Sequence, residues 1–293
     1  MAPLAGQSIP LRVVYPGRAA AYSPGMTLAT LPALFVSHGA PLFAVEPGET
    51  GPALTRFGAT LQADGLRGVV IMSPHWMARS PAVMTNPAPA TWHDFGGFPP
   101  ALYQLQYPAP GSTALGEQVI ALLARAGIDA QADSQRPLDH GAWVPLMHLL
   151  PEATVPVVQV ALPARYGPAE VLAMGRALQS LRAQGVLVIG SGSMTHNLAE
   201  FFGGEREPAP YVLEFSRWIE SAITTGSLQA LLDYRREAPH AERAHPSDDH
   251  FLPLFFALGA GGFGEPGVKP GYLSREVMYS MLAMDSFALP APH

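Results

Sequence analysis

The sequence predicts an α/β protein with three layers, αβα, and a mostly parallel central sheet. Short runs of continuously apolar and β-branched residues, such as residues 69–72 (VVIM), are typical of strands buried on both faces. These runs alternate with longer segments in which apolar residues recur at helical spacing, as expected when helices cover both faces of a parallel sheet. A third observation concerns the strand ends, because three of the runs are followed closely by a histidine.

The predicted elements follow one another from the N-terminus. Residues 1–30 are rich in Pro, Gly and Ala and are predicted to be an N-terminal extension, whereas residues 31–293 are predicted to form a single αβα domain. The predicted strands cover residues 33–37, 69–75, 81–85, 155–161 and 186–190. The second strand is expected to end at His75, because Pro74 cannot extend a central strand. The predicted helices cover residues 52–64, 113–126, 168–184, 211–224, 228–235 and 252–258.

The composition excludes several classes of function. A net charge of −6 argues against nucleic-acid binding, because phosphate recognition needs a basic surface. The apolar stretches are shorter than the ~20 residues that span a bilayer, and the N-terminus lacks the apolar core of a secretory signal, so the cytoplasm is the expected location. The absence of cysteine excludes thiolate ligands, so a metal would be held by His, Asp or Glu, which suits Fe(II), Mn or Zn.

Three of the ten histidines share one context. His38, His75 and His196 each lie beyond the end of a predicted strand, and ligands of open α/β sheets bind at that edge. We therefore predict that these three histidines contribute to one shared site, most simply a metal site. Taken alone, each of them also fits a structural histidine that is held by hydrogen bonds.

The other histidines carry weaker signals. His250 precedes an apolar helix and is interpreted, on its own, as a solvent-contacting residue at a helix N-terminus. His140 follows Asp139, whose carboxylate either raises the pKa of the histidine and orients it or caps a turn. His93 precedes Asp94 and is a weaker candidate of the same kind. The remaining histidines are predicted to be core, wall or surface residues: His148 in the core, His245 near the site, and His240 and His293 at the surface.

Six segments taken together resemble one family. They are LFVSHGAP (34–41), MSPHW (72–76), HDFGGFP (93–99), LDHGAWVP (138–145), GSGSMTHNL (190–198) and HPSDDHFLP (245–253). In this order they resemble the class III extradiol ring-cleavage dioxygenases, and most closely the branch of bacterial and plant DOPA 4,5-dioxygenase-like proteins. The resemblance runs from about residue 31 to the C-terminus, and it implies a single catalytic αβα domain.

The resemblance implies a role for each matching histidine. His38, His75 and His250 match the metal ligands of the family. His196 matches a general base that can also bind the metal as a fourth ligand, and His140 matches the histidine that contacts substrate and oxygen. Relatives that cleave protocatechuate supply Glu as the third ligand, where this sequence has His250.

The cofactor and partners follow from the same resemblance. Fe(II) is expected, with Zn²⁺ as the alternative native or as-purified metal, because three imidazoles also suit zinc. The partners would be O₂ and a small aromatic diol, either DOPA-like or related. Aromatic side chains near the motifs are predicted to hold the ring of this diol. These side chains are Trp92, His93, Phe95, Phe98 and Trp143.

Two other functions fit the same histidines. A zinc hydrolase would use them to activate water, although no Glu stands in an obvious position to act as its base. A non-catalytic binding protein would keep the site without turnover. The resemblance favours the dioxygenase, while the particular diol, the cleavage position and the oligomeric state stay open.

Overall fold

A large mixed sheet forms the centre of the molecule in the computed structural model, which describes residues 30–201, 207–265 and 268–290. The strands are β1 (Ala33–Ser37), β2 (Gly68–Ala78), β3 (Ala82–Met84), β4 (Gln131–Asp133), β5 (Val157–Pro163), β6 (Val186–Gly192), β7 (Gly271–Ser274), β8 (Val277–Met278), β9 (Leu282–Ala283) and β10 (Ser286–Leu289). Residues 1–29 of the predicted extension, and His293, lie outside the described residues.

Eight of these strands form the large sheet, in the order β4-β3-β5-β2-β6-β1-β10-β7. Its four central strands, β5, β2, β6 and β1, run parallel to one another, and their residues are almost all buried. This confirms the prediction of a mostly parallel sheet. Antiparallel pairings occur towards the edges, where β3 pairs with β5, and β10 pairs with both β1 and β7.

Helices cover both faces of the sheet and complete the predicted three-layer fold. They are α1 (Thr50–Ala63), α2 (Thr113–Arg125), α3 (His140–Leu149), α4 (Pro168–Ala177), α5 (Pro210–Thr224), α6 (Leu228–Leu232), α7 (Tyr234–Glu237), α8 (Ala241–Ala244) and α9 (Pro253–Ala260). Strand β6 shows the two faces directly. Its Ser191 hydroxyl donates to the Gly141 carbonyl of α3, while Gly190 faces the backbone of Pro253 at the start of α9 on the opposite side.

The small residues of β6 permit a close approach by α9. A Cβ atom at Gly190 would collide with the carbonyl oxygen of Pro253, and one at Gly192 would collide with the carbonyl oxygen of His250. The Gly-Ser-Gly run that ends this strand has a packing role here, because glycine alone lets the turn that carries His250 lie against the strand. Because Gly190 and Gly192 have no side chain, the backbone at His250 can lie close to β6.

The structure corrects several of the predicted boundaries. Strand β2 continues to Ala78, because its pairing with β5 breaks after Ser73 and resumes at Met77, so that Pro74 and His75 lie in a bulge where no ladder hydrogen bond is needed. The single helix predicted over residues 228–235 is divided between α6 and α7. The helix predicted over residues 168–184 is likewise divided, into α4 and a 3-10 helix (Gln179–Gln184).

The helices are short for a chain of this size. The longest of them, α5, has 15 residues. Within the described ranges, none combines the length and the apolar character that a membrane crossing requires.

Candidate metal centre

A cavity of about 340 Å³ lies at the carboxyl ends of β1 and β6, beside the bulge of β2. Five histidines come together in it, from segments that are far apart in the sequence. The residues that line it are His38, Gly39, Ala40, Pro41, His75, Phe95, Gly96, Phe98, His140, His196, Leu198, Phe201 and His250. The three histidines predicted from strand ends are thus brought to one site, together with His140 and His250.

His38 and His75 form the centre of the cluster. Their Nε2 atoms lie 3.2 Å apart, and the ring of His38 is buried directly after β1. Nδ1 of His38 is 3.1 Å from the Ser191 hydroxyl, which itself donates to Gly141. The hydroxyl proton is therefore already used, so Nδ1 must be the donor to Ser191, and Nε2 of His38 keeps a free lone pair.

His140 is held by a carboxylate that sequence reasoning did not assign to it. Asp94 Oδ1 accepts from the backbone N–H of His140 at 2.8 Å and is 2.9 Å from Nδ1 of the same residue. Its other oxygen lies 3.7 Å from Nδ1 of His75. Asp94 therefore lies between two histidines of the site, and the adjacent His93–Asp94 pair in the sequence was the only signal for it.

Asp139 caps the N-terminus of α3, which is the second of the two roles predicted for it. Its carboxylate accepts from the Ala142 backbone at the start of α3 and is buried beside Arg136 and Gln159. The suggestion that Asp139 orients the His140 ring is thereby corrected, because a residue at the N-cap directs its side chain to the helix backbone. Arg136 also donates to the His75 carbonyl at 3.1 Å, which ties the bulge of β2 to this helix start.

His250 and His196 form a stacked pair on another side of the cavity. Their ring centroids are 3.5 Å apart, and the ring planes differ by only 6°. Nδ1 of His250 lies 2.6 Å from Asp249, so a carboxylate orients this ring as well. The His250 ring centroid is 5.0 Å from that of His75 and 5.4 Å from that of His38.

The environment keeps several of these imidazoles neutral. Burial, and then the neighbouring histidines, lower the pKa of His38 and His75 well below the ordinary value of 6.5. The same two causes lower the pKa of His196 to about 3. Burial alone would raise the pKa of Asp94, but hydrogen bonds from His140 outweigh it and leave that pKa lowered. The site thus combines neutral nitrogen ligands with ionised carboxylates behind them.

This donor set fits a divalent metal ion. One ligand atom from each of His38, His75 and His140 lies within 4.8 Å of the others. Two nitrogen atoms that are each about 2.1 Å from one ion are separated by about 3.0–3.4 Å at the usual coordination angles, and the Nε2 atoms of His38 and His75 are 3.2 Å apart. Imidazoles backed by carboxylates are typical of metal ligands in proteins.

The aromatic wall of the cavity is smaller than the predicted one. Phe95 and Phe98 line the cavity, with ring centroids 5.4 Å apart. Trp143 is fully buried in the core, where its indole N–H donates to the Trp92 carbonyl. His93 contacts Phe95 from behind at 5.8 Å, and Trp92 is exposed. Trp92, His93 and Trp143 therefore support the wall without lining it.

The remaining histidines that the structure describes take no part in the lining of the cavity. His148 is half-buried and bonds through Nε2 to the Phe43 carbonyl. His245 is buried behind the site and bonds through Nε2 to the Met194 carbonyl, and burial lowers its pKa to about 3. His240 is exposed and pairs with Glu214, as predicted for a surface residue.

The αβα fold and its three-histidine group define a metal-binding enzyme domain. Residues 32–282 match the family model described as the catalytic LigB subunit of aromatic ring-opening dioxygenase. The chain belongs to this family and is a class III extradiol ring-cleavage dioxygenase.

Individual relatives agree with the family match. The chain is 37% identical to the 4,5-DOPA dioxygenase extradiol of Beta vulgaris, with coverage of 78% of this chain and 86% of that protein. It is 33% identical to the protein of the same name from Escherichia coli, with coverage of 85% and 94%. A crystal structure of an uncharacterised protein from Escherichia coli K12 superposes with a TM-score of 0.72 at 28% identity, covering 88% of this chain and 99% of that one.

Proposed function

We propose that this protein opens the ring of a catechol with O₂, using Fe(II) held by His38, His75 and His250, with His196 and His140 as acid–base residues. The observation that supports this function is the convergence of five imidazoles on one largely apolar cavity. The names of the relatives in Beta vulgaris and Escherichia coli support a catechol as the substrate.

The choice of third ligand rests on the surroundings of two rings. His140 contacts the cavity wall, because its ring lies edge-on to Phe95 at 5.6 Å, and is therefore suited to face the substrate. His250 has ring contacts with His38, His75 and His196, and the ring contacts described for it include neither Phe95 nor Phe98. We therefore assign the metal to His250 and the substrate to His140.

A metal ion held by these histidines would bind the hydroxyl oxygens of a catechol and would make O₂ reactive towards its ring. His196 would take the proton of a catechol hydroxyl, because its ring is neutral at pH 7 and makes no side-chain hydrogen bond among the described residues. Stacking on His250 fixes the plane of its ring.

His140 would act as a hydrogen-bond donor to the developing negative charge on oxygen and then as a proton donor. Its Nδ1 is oriented by Asp94, so Nε2 is the atom that faces the cavity. Both oxygen atoms of O₂ would enter the product, a semialdehyde acid.

The test is anaerobic reconstitution of metal-free protein with Fe(II) and, separately, with Zn²⁺. Each sample is mixed with catechol, DOPA, protocatechuate or gallate before O₂ is admitted and its consumption is followed. We expect oxygen uptake and a yellow ring-opened product with Fe(II) only. No uptake with any diol, at one metal ion per chain, would contradict the proposal and favour a zinc hydrolase or a binding protein.

Three variants separate the assigned roles. His250→Ala is expected to lose the metal, whereas His196→Ala should keep the metal and lose turnover, because it is assigned only to proton transfer. His240→Ala is the matched control, since this histidine is exposed and pairs with Glu214 far from the cavity lining. Loss of metal from His196→Ala would show that this residue is mainly a ligand.

A further inference from the structure

Beyond its histidines, the cavity is lined by uncharged residues. No Asp, Glu, Lys or Arg is among the lining residues that the structure describes. The two nearest carboxylates, Asp94 and Asp249, are already bonded to His140 and His250. Among the described lining residues, a charged group on a substrate would therefore find no side chain of opposite charge.

The walls that lead away from the histidines are apolar. Phe95 contacts the His140 ring, and Phe98 packs on Phe95, so two aromatic rings follow each other outward. Leu198 also lines the cavity and is 58% exposed, which makes it the most exposed of the large hydrophobic residues described. Exposed apolar side chains at the mouth of a cavity gain burial when a ligand covers them.

The lack of charged lining residues and the apolar walls both favour an apolar substituent over a charged one. Burying a charge without a partner is costly, so the carboxylate and ammonium groups of an amino acid fit this lining poorly. Each methylene group of an apolar substituent that becomes buried strengthens binding roughly fourfold. The lining is thus expected to select among catechols by their ring substituent, which takes no part in the reaction.

We propose that the preferred substrate is a catechol whose ring carries an uncharged, apolar substituent, held between the Phe95–Phe98 pair and Leu198. This inference rests on the proposed function, because the diol end is placed at the histidines. It differs from the substrate in the names of the relatives, since DOPA carries an amino-acid group.

The test compares 4-propylcatechol, unsubstituted catechol, DOPA and protocatechuate on the Fe(II)-loaded protein. Steady-state oxygen uptake gives kcat/KM for each, and anaerobic calorimetry gives Kd for the same compounds without turnover. We expect kcat/KM for 4-propylcatechol to exceed those for catechol and DOPA by about tenfold or more, with Kd in the same order.

A pair of variants localises the effect. Leu198→Arg should remove the advantage of 4-propylcatechol and improve protocatechuate several-fold, because it places a cation at the mouth of the cavity. Val45→Arg is the matched control and should change neither value, since Val45 is exposed to a similar degree but does not line the cavity. An equal change in both variants would overturn the assignment of Leu198.

The outcomes also separate this inference from the proposed function. If DOPA or protocatechuate binds and reacts as well as 4-propylcatechol, the inference is overturned while the dioxygenase stands. If no diol consumes O₂ but 4-propylcatechol still binds most tightly, the proposed function fails while the preference of the lining for apolar substituents is supported.

Discussion

Single side chains orient the rings at this centre, and the partners differ from ring to ring. Ser191 holds His38, Asp94 holds His140 and Asp249 holds His250, each through Nδ1. Because a ring nitrogen that donates to such a partner leaves the other nitrogen free, these contacts decide which atom faces the cavity. Substitution of these partners is therefore expected to lower the rate of turnover as well as the stability of the fold.

Asp94 offers the sharpest test of this idea. Asp94→Ala removes both hydrogen bonds to His140 and should lower kcat roughly 100-fold with metal content unchanged. Asp94→Asn keeps an acceptor oxygen but not the charge, and should fall between the alanine variant and the native protein. Oxygen uptake and metal analysis measure the two quantities, with the exposed Asp129→Asn as control. If metal and activity fell together, Asp94 would be supporting a ligand instead.

Asp285 is a buried carboxyl group whose charge the fold disfavours. It is 4% exposed, and burial together with Glu220 raises its pKa from 3.8 to about 7. Between these two values the unfolded chain loses its proton while the folded protein keeps it. The free energy of unfolding therefore falls as the pH rises from about 4 to about 7.

Asp285→Asn should remove this loss of stability. At about 1.4 kcal/mol for each unit of pKa, the native protein loses at most roughly 4 kcal/mol by pH 8. We expect the melting temperature of the variant to match the native one near pH 4 and to exceed it increasingly up to pH 7. Thermal unfolding of both proteins across this range is the measurement. A difference that did not change with pH would mean that Asp285 stays ionised in the folded state.

Two helices of the fold pack against each other through close backbone contacts. Helices α4 and α9 cross where each offers a glycine to the other. A Cβ atom at Gly259 would collide with the Leu172 carbonyl, and one at Gly175 would collide with the Phe256 carbonyl. Because α9 begins just after His250, its distance from the sheet also determines where that ring lies.

Gly259→Ala is accordingly expected to push the two helices apart. The added methyl group has no space, and overpacking of this kind costs roughly 1–3 kcal/mol. Urea unfolding should show a lower midpoint with an unchanged slope. Ala173→Ser, on the exposed side of α4, is the control and should stay within about 0.5 kcal/mol of the native protein. A Gly259→Ala midpoint equal to that of the control would contradict this packing.

The sequence predicts elements well where a local pattern determines them. The parallel strands were recognisable because their residues are continuously apolar. Helix α3 was not predicted, because Gly141 and Pro145 interrupt its pattern, and its start depends on the cap from Asp139. The extension of β2 past Pro74 was also missed, since a bulge depends on the neighbouring strand.

At the scale of the whole molecule, the predictable part of the site was the set of residues that follow strands. His38, His75 and His196 could be placed together because parallel strands bring their carboxyl ends to one edge. His250, Asp94 and the apolar mouth depend on how distant loops fold back, which no local spacing specifies. The antiparallel strand β10 belongs to the same category, because it pairs the end of the chain with β1.

The wide spacing of the five histidines has a consequence for biosynthesis. The two that are nearest in sequence, His38 and His75, are 37 residues apart. These five histidines thus include no closely spaced pair, unlike the ligands of a zinc finger, which lie close together in a domain whose folding depends on the metal. We therefore expect the ion to enter a polypeptide that is already native, so that metal supply governs activity and heat resistance without governing whether the protein is made in folded form.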